Sequence, residues 1–292
     1  IKSTPQDFLV VEQLAEEPTG EGEHVYIQLT KENANTHWVA FQIAQFAGLR
    51  DLDVSYAGRK DRHAVTQQWF SCYMPRDLGI DWSKLDIEGV KVDTITRHRC
   101  KLRRGEIAAN RFKITVRHQR LDDLSSLTER LEQLRDVGFP NYFGSQRFGH
   151  MGENLRLADE LLRQGKRIKK HRDIYLSAAR SWLFNGYLSG QLHAGIKPSV
   201  DQSLLGPLYG KSRDPQPGEE FHTELEKSWV AGLRRFGLKV GQRELFVRPA
   251  DLSWQNRDDS TELECSLPAG SFATVMLREI FIVEDASQQI TS

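Results

Sequence analysis

The sequence predicts an α+β protein, a β-rich domain interrupted by a mainly helical α/β insertion, on three observations. Val25, Ile27 and Leu29 alternate with polar residues, as do Phe112, Ile114 and Val116, which marks half-buried strands in the first part of the chain. From about Gly144 the pattern becomes helical, and after Leu245 strand character returns. The expected division is therefore an outer domain of residues 1–136 and 247–292 around an inserted domain of residues 137–246.

The elements follow in order. After the strand at 25–29, Asn35 or Thr36 caps a helix carrying Val39, Ile43 and Phe46 on one face. An apparent strand runs up to Tyr56, and the strand at 112–116 precedes a helix with Leu124, Leu127, Leu131 and Leu134 at helical spacing. Helices are expected near 153–164, 174–192 and 222–235, joined by Gly- and Pro-containing loops such as GPLYG at 206–210. Glu244–Arg248 and Thr261–Leu267 read as strands, and PAGSF opens a last helix through Arg278.

Composition narrows the function classes. The chain has 292 residues, 27% charged and 39% hydrophobic, which suits an ordered globular protein. No window reaches eighteen consecutive apolar residues, so a membrane span is not expected. No secretory signal is visible, and the start at Ile1 suggests that the natural initiator Met lies further upstream. Cys72, Cys100 and Cys265 lie far apart and form no C-x-x-C pair, which argues for a reducing cytoplasm and against a zinc site. Forty basic residues balance forty acidic ones, so any nucleic-acid site must be a local basic face. Two runs supply one: RHRCKLRR, where period-2 spacing would align Arg97, Arg99, Lys101 and Arg103 on one side of a strand, and Arg163 to Arg172.

Reactive side chains are densest in Tyr56-Ala-Gly-Arg-Lys-Asp-Arg-His63 and on to Trp69. Gly58 permits a tight bend, and the carboxylate of Asp61, between Lys60 and Arg62, sits in positive potential that favours its ionised form. Such a group can attack carbon or take a proton, whereas the bland reading is a surface loop of mutually paired charges. In AANRFKITVR, Asn110 matches the donor and acceptor edge of a base, and Phe112 projects to the same strand face. Phe8, in TPQDFLVVE, and Phe272, in PAGSFATVMLRE, are aromatic candidates of the same kind, and each equally suits a core. The segment GFPNYFGSQRFG, residues 138–149 with Arg147 in it, reads as an interdomain hinge or an RNA contact. No P-loop, G-x-G-x-x-G or H-E-x-x-H occurs, which removes nucleoside-triphosphate, dinucleotide and zinc-protease chemistry in their usual forms.

Taken together, these segments resemble the TruD family of tRNA pseudouridine synthases. The likeness rests on Pro5–Phe8, Gly58–Trp69, Ala109–Phe112, Pro140–Gly149, the LSAARS stretch from Leu176 and the LPAGSFAT stretch from Leu267, in family order over nearly the whole chain. It implies a pseudouridine-synthase catalytic core with a mixed, largely antiparallel sheet, residues 137–246 being the family's inserted domain. It also implies isomerisation of uridine 13 in the tRNA D-arm by a cytoplasmic monomer with no cofactor, metal or obligate protein partner. By motif, Asp61 takes the nucleophile's place, and Phe8, Asn110, Phe112 and Phe272 those that hold the uridine. Lys60 and Gln67 fall within the same motif, and Lys2 and Arg243 match basic residues that steady a carboxylate or phosphate. Arg97, Arg99, Lys101, Arg103 and Arg147 are the candidates for the RNA backbone. Ala109 departs from the family's usual Gly, which matters only where that backbone needs a positive φ. The region near Gln202–Ser203 is shorter than the family pattern. The rival readings are a non-catalytic RNA-binding factor, which would not need Asp61, and a carboxylate-dependent N-ribosyl hydrolase, which would release free uracil.

Overall fold

A computed structural model describes residues 1–118, 124–168, 170–199 and 203–286. In chain order the elements are β1 (Phe8–Leu14), β2 (His24–Glu32), α1 (Thr36–Phe46), β3 (Val54–Tyr56), β4 (Val65–Tyr73), β5 (Val90–His98), β6 (Ile107–Arg117) and α2 (Leu124–Val137). There follow β7 (Phe139–Pro140), α3 (Glu153–Leu162), α4 (Arg172–His193), β8 (Leu205–Leu208), α5 (Glu224–Arg235), β9 (Gly241–Glu244) and β10 (Phe246–Val247). The last are β11 (Ala250–Asn256), β12 (Ser260–Pro268) and α6 (Ala273–Arg278). The chain forms two compact units: one of Ile1–Ser126, Pro249–Gly270 and the residues from Ile282 on, the other of Leu127–Arg248 and Ser271–Phe281.

The first unit is built on a mixed sheet, eight-stranded among the described residues, with the order β11-β12-β6-β1-β4-β2-β5 and β3 paired to β4. Only the β1–β4 pair is parallel, so the sheet is largely antiparallel, as the sequence led us to expect. Helix α1 lies on one face because Val39, Ala40, Ile43 and Ala44 form a continuous apolar stripe. That stripe packs on Val25, Ile27, Leu29, Phe70 and Cys72. Val39 and Ile43 are fully buried, worth about 1.5–3 kcal/mol each from the area removed from water. The helix starts where Asn35 Oδ1 accepts from the His37 amide, the cap its residue type favours. On the opposite face Tyr26, Trp69, Ala57 and Leu102 make a smaller core.

The second unit is mainly helical, with short paired strands β7–β10 and β8–β9. Helices α3, α4 and α5 bury Leu161, Leu162, Leu176, Leu183, Trp229 and Leu233 together. Helix α5 comes close to α3 at Gly232, where a Cβ would sit 2.8 Å from a Leu162 methyl. The turn into β7 uses Gly138 at φ +86°, and a side chain there would meet the Val247 carbonyl at 2.5 Å.

One local expectation fails. Strand β5 ends at His98, so the basic residues after it do not form a period-2 stripe. Arg97 turns its guanidinium inward to the carbonyls of Gly22 and Met74 at 2.9 and 3.1 Å, and Lys101 donates to the Leu52 carbonyl. Arg99 pairs with Glu21. The chain leaves the strand because Cys100–Lys101 turns back to lay Leu102 into the Trp69 core, and burying an apolar side chain outweighs continuing the ladder.

Candidate active site

Strand parity carries a band of polar side chains across the α1-covered face. Glu12 on β1 lies opposite Asn110 on β6, Val10 pairs with both Phe112 and Thr66, and Leu29 faces Gln68. Glu12, Gln68, Thr66, Asn110 and Lys31 are all buried, in an otherwise apolar setting. Buried polar groups are tolerable only when paired, and most of these are. Glu12 accepts from the Trp69 amide at 3.0 Å and forms an ion pair with Lys60 at 2.7 Å. Lys60 Nζ also donates to Asn110 Oδ1 at 2.7 Å.

The same band holds the reactive loop. Gln68 Nε2 donates to the Gly58 carbonyl at 2.5 Å, Thr36 Oγ1 donates to Gln68 Oε1 at 3.1 Å, and the Lys60 amide donates to Thr36 Oγ1 at 3.1 Å. Residues 58–60 are thereby pinned to α1 and β4. Gly58 adopts no positive φ and a Cβ there would meet nothing within 4 Å, so the bend expected of it is made without glycine's special freedom. Ala109 likewise lies in regular strand β6 with no positive φ, and its replacement of Gly carries no backbone strain.

Asp61 closes the loop. Its Oδ2 accepts from Lys2 Nζ at 2.5 Å and its Oδ1 from the His63 amide at 3.0 Å. The Asp61 side chain keeps 20% exposure while the Lys2 side chain keeps 1%, so the carboxylate is reachable from solvent and its counter-charge is not. Lys2 holds a left-handed φ of 57°, a strain of about 1–3 kcal/mol for a non-glycine residue, and a second carboxylate, Asp285 at 3.1 Å, helps to fix it. Lys31, fully buried, donates to the carbonyls of Ala34 at 2.9 Å and Asp61 at 3.4 Å. Burial lowers its amine to about 8 against the opposing pull of Asp61, and the nearby Lys60 lowers it further.

The other expected residues fall into three groups. Phe8 and Phe112 join the site's floor: their rings meet edge to face at 5.9 Å, and Lys2 Nζ lies 4.9 Å over the Phe8 ring. Both are buried, so they pack beneath the polar band rather than stand free above it. Gln67 points to the other face of the sheet, where it donates to Asp93 at 3.1 Å, and Gln68 takes the inward position instead. Phe272, Arg147 and Arg243 belong to the second unit. There the Phe143 ring carries Arg243 at 4.0 Å and Arg147 at 5.4 Å, with Phe272 edge-on at 6.2 Å. Arg243 donates to the backbone carbonyl and side-chain oxygen of Asn141 at 3.1 and 2.6 Å. Burial pulls Arg243 down to about 10, helped by the like charge of Arg147 and opposed by Glu244.

A groove of about 390 Å³ lies beside α1, lined by His37, Phe41, Tyr56, Lys101, Arg103 and Arg104 among others. Asp61 is not among the residues that line this groove. Among the described residues no three His, Cys, Asp or Glu side chains gather as metal ligands.

A family model described as tRNA pseudouridine synthase D (TruD) matches residues 1–168. The chain belongs to the TruD family. It is 39% identical to tRNA pseudouridine synthase D of Cellvibrio japonicus, over 96% of this chain and 88% of that protein. It is also 39% identical to the Methylococcus capsulatus protein of the same name, over 96% and 90%. A crystal structure of a TruD protein from Methanosarcina mazei superposes with a TM-score of 0.66, covering 97% of this chain and 93% of that one at 19% identity. Membership makes the chain an isomerase of the pseudouridine-synthase class.

Within this TruD chain, Glu12, Lys31, Thr36, Gln68 and Asp285 escaped the sequence reading. For Glu12 a signal was available: a carboxylate in the apolar run FLVVEQL, at the same parity as Phe8 and Val10, must face inward and therefore needs a cation. For Asp285 there was none, because its partner Lys2 stands 283 positions away.

Proposed function

We propose that this chain isomerises uridine 13 in the D-arm of a tRNA to pseudouridine, with Asp61 as nucleophile. The observation that carries the reading is the Asp61–Lys2 pair: a solvent-reachable carboxylate against a buried ammonium, at the edge of a buried polar band. The reaction breaks the N1–C1′ glycosidic bond, turns the uracil while it stays bound and joins C5 to C1′; the C5 proton leaves and N1 takes one up, so the composition is unchanged. Lys2 and the His63 amide hold one carboxylate oxygen each, which orients Asp61 toward the sugar and ring of a base drawn out of its stack. Phe8 and Phe112 supply an apolar wall, and Asn110 a polar contact to the base edge.

Extruding a base costs a few kcal/mol, and stacking on aromatic faces returns about 1–3 kcal/mol per base. We assign Phe272, on the second unit, to that stacking. Exposed Arg99, Lys101 and Arg103 are assigned to phosphates and Arg97 is not, since its guanidinium is committed inward. The Arg147–Phe143–Arg243 stack is a further candidate for the RNA backbone. Residues 137–246 are taken as the inserted domain, which the compact unit Leu127–Arg248 supports, with Ser271–Phe281 grouped alongside it. A monomer in the cytoplasm is the expected state.

The test incubates unmodified tRNA carrying uridine 13 with the protein and with Asp61→Asn, then maps pseudouridine by carbodiimide-dependent reverse-transcription stops. A stop with wild type alone, and tRNA affinity of the variant within a few fold, is the expected result. Equal turnover by Asp61→Asn sinks the nucleophile, and release of free uracil assigns an N-ribosyl hydrolase instead.

A further inference from the structure

We infer that Glu12 and Lys60 are positioning residues that set the polarity of the Asn110 amide. The site then offers the target base an N–H and selects a 4-keto pyrimidine over a 4-amino one. The inference rests on the pseudouridylation reading above and adds the source of its base specificity.

An asparagine amide is an ambiguous reader. One end accepts, the other donates, and a half-turn about the last side-chain bond exchanges them. Left to itself, Asn110 would meet uracil O4 with its NH2 group or the amino group of cytosine with its oxygen, and would discriminate little. Lys60 removes the ambiguity. An ammonium has donors and no acceptor, so the amide atom held 2.7 Å from Lys60 Nζ is the oxygen. The NH2 group then points the other way. Among the described residues Nδ2 makes no hydrogen bond, and Asn110 as a whole keeps 8% exposure, so this donor is offered but not sealed in.

Glu12 makes the arrangement permanent. Its side chain is fully buried and that of Lys60 is 8% exposed, with 2.7 Å between charge centres, off the ideal hydrogen-bond angle at Glu12 Oε1. Its other oxygen accepts from the Trp69 amide, and its strand register places it directly across from Asn110. Glu12 therefore cannot turn away. Glu12 is the counter-charge that keeps the Lys60 ammonium beside the Asn110 oxygen. Without Glu12 the ammonium could swing away, Asn110 could take either orientation, and the choice between carbonyl and amino would be lost.

Uracil presents O4 as an acceptor where cytosine presents an amino donor. A donor facing a donor leaves both unpaired, and a site built on such a contact discriminates strongly. The preference is thus assigned to a residue that touches the base and two that do not.

The experiment varies one atom of the substrate against each residue. A tRNA carrying tritium at C5 of the target nucleotide is prepared with uridine or 4-thiouridine there, since sulfur is a poor acceptor, and tritium release gives kcat/KM for each. Wild type is expected to lose about tenfold or more on 4-thiouridine, the size of one ordinary hydrogen bond. In Asn110→Ala, Glu12→Gln and Lys60→Met, turnover of uridine falls and the ratio between the two substrates approaches one. A purely structural role for Glu12 lowers both rates equally and keeps the wild-type ratio, which overturns the inference. Asn110→Asp provides a second arm, because it keeps the shape and the Lys60 bond but offers only acceptors. It should lose uridine turnover while its melting temperature and tRNA affinity stay close to wild type. Retention of more than a third of wild-type turnover by that variant also overturns the inference. Wild type that processes both substrates equally places the amide elsewhere on the ring and refutes this inference alone. Wild type that releases no tritium from either refutes the pseudouridylation reading itself.

Discussion

Lys31 shows how a single buried charge reshapes its surroundings. It is fully buried, its ammonium spans two backbone carbonyls, and desolvation lowers it from 10.5 to about 8. A base whose folded value lies below its unfolded value binds its proton more weakly in the native state. Its burial penalty is therefore felt in full below about pH 8 and relieved as the pH rises from 8 toward 10.5. We predict that wild type gains about 1–2 kcal/mol of stability relative to Lys31→Met between pH 7.5 and 9.5 in urea unfolding. A difference that does not move with pH would mean that Lys31 keeps its full charge in the fold. At the residue scale, the sequence reading named Lys60 and Asn110 from short motifs, and the fold brings their side chains into contact. The reading worked least well for Lys31 and Glu12, whose roles come from which strand lies beside which.

At the level of elements, the N-terminus of α1, the middle of β4 and the loop before Asp61 are joined through one hydroxyl. Thr36 Oγ1 accepts from the Lys60 amide and donates to Gln68, which in turn holds Gly58. Thr36→Val keeps the shape and orphans two buried polar groups, at a cost of about 1–3 kcal/mol. We expect turnover to fall about tenfold as the loop loosens, with tRNA affinity unchanged, measured by single-turnover kinetics beside a binding titration. Unchanged kinetics would mean that the loop is held by Lys2 and Glu12 alone. The strands and helices themselves were legible, since the alternation at 25–29 and 112–116 and the helical spacing at 153–164, 174–192 and 222–235 all correspond to observed elements. What was not legible was where a strand stops and which parity faces in. Gln67 and Gln68 are chemically identical and differ only in which side of β4 they leave, and the basic residues after His98 follow a turn that no local pattern marks.

For the molecule as a whole, the sheet is completed from both sides of a long excursion. Strand β12 pairs with β6 from Ser260↔Arg117 to Pro268↔Ala109, and β11 adds to it. A chain ending at Arg248 would leave β6 as an open edge with Asn110, Phe112 and Ile114 uncovered on one side. We predict that such a truncation shows no cooperative melt by circular dichroism and aggregates at micromolar concentration, whereas a sharp transition would mean that β1 to β6 fold without their last neighbours. The same layout governs timing. At a synthesis rate of about 5–20 residues per second, the gap of roughly 150 positions between β6 and β12 amounts to about 8–30 seconds on the ribosome. During that interval the nascent sheet offers an unpaired rim to other chains. The lysine that steadies Asp61 must also wait for Asp285. Assembly of the reactive centre thus waits until synthesis has passed Asp285: a ribosome-stalled fragment that stops short of it would carry the motif and lack the enzyme.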